Sequence, residues 1–176
     1  KPLDVINKYM IPALDFVGQG FEKKTLFLPQ LLMSADAAKA AFEVIREAVG
    51  VGETQGETVL IATVHGDIHD IGKNIVKVLL ENYGYRVIDL GKDVPVETVV
   101  QAAKETQAKV VGLSALMTTT VGAMEDTIAE LHKECDCRIV VGGAVLTQEY
   151  ADEIGAEHYA PNAVSAVNYV NEILGK

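Results

Sequence analysis

The residues with the most chemistry in this chain fall in one short stretch, V-H-G-D-I-H-D-I-G-K-N-I-V, from Val64 to Val76. It holds two of the chain's four histidines and two acids within six residues. Imidazole and carboxylate both suit zinc or iron, so His65, Asp67, His69 and Asp70 read as one possible ligand set of a metallohydrolase. A structural alternative makes Asp67 or Asp70 a helix N-cap and Gly72 a close-packing residue. A phosphate loop is excluded, because no G-x-x-x-x-G-K-[ST] is present. Cys135 and Cys137 lie one residue apart, too close for an easy disulfide and without the second pair that structural zinc requires. They read as two free thiols in a reducing cytosol.

Two kinds of element must position that stretch. From Pro2 to about Val49 the period is helical. Val5, Ile6, Met10, Ala13, Leu14 and Val17 recur at three- and four-residue spacing, Gly18 and Gly20 end the run, and a second helix covers LPQLLMSADAAKAAFEVIREAV. Gly50 to Gly56 reads as a linker. Beyond it come nearly continuous β-branched runs at 58–64, 85–91, 108–115 and 138–144, with a weaker one at 157–160. Such runs mark strands buried on both faces. Helical patterns lie between and after them, at Ile71–Tyr83, Val96–Thr106, Val121–Glu134, Gln148–Ile154 and Ala163–Leu174. The expectation is an α/β fold: a five-stranded parallel sheet flanked by helices, Rossmann- or flavodoxin-like with order 2-1-3-4-5 or its relative. A small all-α cap precedes it, with residues 1–52 as cap and 53–176 as α/β domain. Ligands of such sheets bind beyond the carboxyl ends of the strands. The polar residues to interrogate are therefore His65–Gly72, Gly91–Val94, Ser114–Thr120, Gly142–Gly143 and Tyr159–Ala163.

Asp67-x-His69-x-x-Gly72, then Ser114-x-Leu116 after the third run, then Gly142-Gly143 after the fourth, resembles the fingerprint of cobalamin-binding modules. GDIHDIGKNIV, VIDLGKDVP and VGGA look like the module of methionine synthase and of the corrinoid proteins of methyltransferase systems. GQGFEKKTLFLPQLLMSA resembles the helical cap that precedes it in both, so the similarity spans essentially the whole chain. The resemblance implies a cobalamin cofactor, with His69 as the lower axial ligand of cobalt in place of the cofactor's own base, and Asp67 and Thr120 completing a proton relay behind it. Family members of the long methionine synthase type carry Ser at the last position. The resemblance also places the nucleotide tail in a slot opened by Gly72, Gly142 and Gly143, with Ser114 and Thr118 set to hydrogen-bond it and the Asn162–Ala163 turn to line it; Gly66, Ile68, Asp70 and Leu116 are further cofactor-binding candidates. Phe21, Phe27, Leu28 and Leu31 would cover the cofactor's upper face. Lys73 and Asn74 match the family without an assigned role.

The implied function is a methyl carrier that docks with separate donor and acceptor methyltransferases and with a reductive activation partner. The chain offers no zinc-thiolate set for homocysteine and no barrel for a folate. GDIHDIGKNIV and AVLTQEYADEIGA tilt the reading towards methionine synthase, with free-standing corrinoid proteins close behind. A cobalamin-responsive regulatory module and the metallohydrolase remain open as alternatives. Lys+Arg 15 against Asp+Glu 25 gives a net charge of −10, which speaks against nucleic acid or an anionic membrane as partner. No apolar run approaches the roughly 18 residues of a membrane span, and the first residues lack a signal-peptide core. A cytoplasmic protein is expected, excised from something longer since it starts with Lys.

Overall fold

The computed structural model describes residues 5–49 and 56–175. Helix α1 (Ile11–Glu22) is preceded by a π-turn, Ile6–Met10. Pro12 explains the wide turn: it has no N–H to return to the carbonyl four residues back. The start proposed at Pro2, the linker and the 52/53 boundary lie outside the described residues. Contrary to expectation, α1 runs through Gly18 and Gly20. These glycines serve contact rather than termination. A Cβ on Gly18 would sit 3.1 Å from Val164 Cγ1, and one on Gly20 2.7 Å from Leu26 Cδ1. Helix α2 spans Leu28–Val49, as its period predicts.

The α/β part alternates β1 (Thr58–Thr63), α3 (Ile71–Asn82), β2 (Arg86–Asp89), α4 (Val96–Thr106), β3 (Val110–Ser114), α5 (Val121–Glu134), β4 (Arg138–Gly142), α6 (Gln148–Glu153), β5 (His158–Tyr159) and α7 (Ala163–Leu174). The described residues form one five-stranded sheet of order β2-β1-β3-β4-β5, with every pairing parallel. Its central strands are apolar throughout because helices cover both faces. Leu60, Val111, Ile139 and Val141 pack towards α4 and α5, where Met124, Ile128 and Leu131 are fully buried. Val59, Ile61, Val110 and Val140 face α3 and α7.

That second core continues into the cap. Leu14, Leu31 and Ala35 are buried with Leu79, Leu80, Tyr83, Val164 and Val167. Burying an aliphatic side chain stabilises by about 1.5–3 kcal/mol, so this shared core holds α1 and α2 against α3 and α7. Cys135 and Cys137 are free thiols, and burial, with acidic neighbours, pushes Cys137 up to about 11.

Candidate functional site

The sheet order reverses between β1 and β3: the chain leaves β1 towards β2 and leaves β3 towards β4. A crevice opens at the carboxyl ends of strands at such a point. In register there, Thr63 pairs with Ser114, and their hydroxyl oxygens are 2.8 Å apart. The next residues on each chain make the site.

Asp67 is fully buried at the turn after β1. Its Oδ1 accepts the backbone N–H of His69 at 2.9 Å and lies 2.8 Å from His69 Nδ1. Its Oδ2 accepts the N–H groups of Leu116 at 2.7 Å and Met117 at 3.2 Å, and the Thr120 hydroxyl at 2.9 Å. Burial by itself would raise the Asp67 pKa. The donors from Leu116, His69 and Thr120 outweigh burial and hold the carboxyl well below the usual carboxylate range. The structure therefore joins Thr120, Asp67 and His69 in one chain of hydrogen bonds. An anionic carboxylate only accepts hydrogen bonds, so Nδ1 is the donor in this contact and Nε2 is the ring nitrogen left for another partner, on a side chain that is 45% exposed.

His69 borders a cavity of about 520 Å³ under the sheet's carboxyl edge. Gly72 and Asp70 come to it from the start of α3; Ser114, Gly142 and Gly143 from β3 and β4; Ala163 from the start of α7. Gly143 has φ 143°, and a Cβ there would lie 1.7 Å from the Ala115 carbonyl oxygen, so only glycine fits. Gly72 is the opposite case: a Cβ there would meet nothing within 4 Å, because it faces the cavity. Ile61 and Val140, read from sequence as plain core, also border the cavity. Ile68, Ile71 and Leu116 border it with 62%, 77% and 41% of their surface exposed, an apolar rim around the imidazole.

Other expected residues fall elsewhere. Thr118 is exposed, at the head of a short 3-10 turn, and does not border the cavity. Gly66, at φ 83°, shapes the turn before Asp67. Asp70 occupies the N-cap position of α3 without a side-chain bond, whereas Asn162 caps α7 by accepting the Ser165 N–H at 2.9 Å. Of the cap residues, Leu31 is 3% exposed in the shared core and Phe21 packs against that core. Phe27 and Leu28 are exposed, and none of the four borders the cavity. Two partnerships were not read from the sequence, although Asp93 lies in the Gly91–Val94 stretch singled out there. Asp93, 27 residues after Gly66, accepts the Gly66 N–H at 2.7 Å and pairs with His65. Asp89 takes the buried Lys73 ammonium, together with Lys77 and the Gly91 N–H.

The metallohydrolase set does not assemble. His65 turns to Asp93, both Asp67 oxygens are committed, and among the described residues no three His, Cys, Asp or Glu side chains converge on a metal position. What the site offers is one imidazole, oriented from behind, above a deep slot of small residues. A flat, apolar-edged metal macrocycle with a long tail fits that donor set and that space.

The comparisons agree. A B12 binding domain family matches residues 57–168, and a second B12 binding domain family, covering the cap, matches residues 1–46. The chain belongs to the B12-binding proteins, with cobalamin as its cofactor. It is 42% identical to dimethylamine corrinoid protein 1 of Methanosarcina acetivorans, over 98% of this chain and 84% of that one. A solved cobalamin-binding protein from Desulfitobacterium hafniense superposes with a TM-score of 0.86 at 29% identity, covering 97% of this chain and 82% of that one. The methanol:cobalamin methyltransferase complex of Methanosarcina barkeri gives 0.81 at 32% identity, covering 99% and 68%. The tilt towards methionine synthase thus gives way to corrinoid proteins of the methylamine and methanol type as the relatives compared.

Proposed function

We propose that this chain is a corrinoid methyl carrier that holds cobalamin base-off and His-on, and that it moves a methyl group between donor and acceptor methyltransferase subunits. The observation that carries the reading is the His69 imidazole, anchored at Nδ1 by a buried carboxylate, on the lip of a cavity floored by the sheet and walled by α3 and α7. A ligating histidine usually gives its other N–H to such an acceptor, which fixes the tautomer and strengthens the donor nitrogen. His69 is accordingly the metal ligand, with Asp67 and Thr120 behind it. Bound there, cobalamin supplies a cobalt centre able to accept and surrender a methyl group.

The chain's own residues do the rest. Asp67 orients His69 and stabilises its proton, and the Thr120 hydroxyl reaches Asp67 Oδ2, so a proton has a path away from the ring. Ser114, positioned by Thr63, offers a hydroxyl to the tail, while Gly72, Gly142 and Gly143 leave room for it and Ala163 closes the far side. Ile68 and Leu116 exclude water around the imidazole. We assign Phe21 and Leu28 to covering the cofactor's outer face, and Leu31 to holding the cap on α3 and α7. The relatives are named for dimethylamine and trimethylamine corrinoid proteins, which supports a methylated amine as the source of the methyl group. No helix among the described residues is long and apolar enough to cross a membrane, and the two unpaired thiols support a cytoplasmic location.

The test is the visible spectrum with hydroxocobalamin. The native chain is expected to give a base-off, His-on spectrum, and His69→Ala to lose it while still binding the tail. A native chain that leaves hydroxocobalamin unbound, or a His69→Ala spectrum identical to the native one, would refute the assignment.

A further inference from the structure

The loop that carries His69 is held from two sides, and the β2 side rests on one residue. Asp93 adopts left-handed backbone, φ 54°, a conformation that aspartate tolerates better than most residues and glycine tolerates best. From that position its N–H donates to the Asp67 carbonyl at 2.9 Å. Its Oδ1 accepts the Gly66 N–H at 2.7 Å and lies 2.8 Å from His65 Nδ1. Val64 and Val94 bridge alongside. Asp93 therefore clasps the Gly66–Asp67 segment at both ends, at the Gly66 N–H and the Asp67 carbonyl, while the Asp67 carboxylate is clasped by Leu116, Met117 and Thr120. Glycine alone would satisfy the backbone at residue 93. The carboxylate is an addition, and what it grips is the turn that aims Asp67 at His69.

Resting on the reading of His69 as axial ligand, we infer that Asp93 is a positioning residue for that ligand: it fixes the backbone of Asp67 so that the carboxylate, in turn, fixes the ring. Ligation by a rotatable imidazole loses affinity for every alternative orientation the ring can visit. A support anchored on two neighbouring strands removes those alternatives before the cofactor arrives.

Two variants separate the carboxylate from the backbone. Asp93→Gly keeps the left-handed conformation and removes the acceptor; Asp93→Asn keeps an acceptor and tolerates the same φ. With saturating hydroxocobalamin, Asp93→Gly is expected to shift the His-on to His-off equilibrium by about fivefold, the effect of one lost hydrogen bond. Asp93→Asn should restore most of the native spectrum. In the cofactor-free protein, the Gly66 and His69 amides should exchange about tenfold faster in Asp93→Gly, as measured by NMR, with melting within about 5 °C of native. An Asp93→Gly protein with the native spectrum, whatever its melting temperature, overturns the inference. So do unchanged amide exchange and an Asn variant indistinguishable from Gly. Absence of the His-on signature in the native protein sinks the axial-ligand reading and this one together; its presence in both native and Asp93→Gly proteins sinks only this one.

Discussion

Asp67 receives five donors on two oxygens, from His69 twice, Leu116, Met117 and Thr120. A carboxylate has about four lone-pair positions, so none is left for a metal. This saturation speaks against the metallohydrolase set that the same loop allowed, because Asp67 has no oxygen lone pair to give a metal. At Gly72 the decisive property is space. A Cβ there meets no protein atom within 4 Å, and any other side chain removes helix-destabilising glycine from the first turn of α3. Gly72→Leu is therefore expected to melt at or slightly above the native temperature while binding hydroxocobalamin at least about tenfold more weakly, the size of an overpacking penalty. Calorimetry and equilibrium titration on the same sample check both halves. Parallel loss of melting temperature and affinity would mean that Gly72 is structural.

Among the elements, α3 depends on an ion pair that joins it to β2. Lys73 is 5% exposed, and its ammonium donates to Asp89 and Asn74. Burial alone would raise the Asp89 pKa; Lys73, the Gly91 N–H and Lys77 outweigh it and place the carboxyl below its ordinary 3.8. The sign follows from that order. The pair's contribution is complete above pH 3.8, where an unfolded aspartate is already ionised, and is lost as the pH falls through the lower folded value. Asp89→Asn is expected to cost about 3 kcal/mol at neutral pH, because it strands a buried ammonium. It should also flatten the acid limb of the stability profile below about pH 4, both read by urea unfolding across pH. A variant with a native acid limb would place that dependence in another carboxylate.

The elements themselves were largely legible in the sequence, and the reason is physical. A parallel strand covered on both faces must be apolar along its length, so β1, β3 and β4 announced themselves as continuous runs, and the helices between them kept their period. The motif residues were legible because Asp67, His69 and Gly72 act within one turn. Asp93 and Asp89 were not, because their partners lie 27 and 16 residues away and contacts between neighbouring loops leave no period. Gly18 and Gly20 misled for a related reason. A glycine that ends a helix and one that lets Val164 approach it read identically until the neighbouring helix is placed.

At the scale of the molecule, the cap and the α/β part share an apolar core through Leu31 and Ala35 of α2, Leu14 of α1, and Leu80 and Val167 of α3 and α7. Leu31→Ala truncates a buried leucine on the cap side of this core and is expected to cost about 2–4 kcal/mol, measured by urea unfolding. A loss under about 0.5 kcal/mol would show a cap that rests on the domain without being bonded to its core.

Because α3 and α7 carry the cap on their outer faces and begin at the rim of the cavity, the cap's seat and the cavity wall are the same two helices. Prying the two N-terminal helices away would uncover Leu14 and Leu31 and strip packing from the outer faces of the same two helices whose first turns wall the cavity.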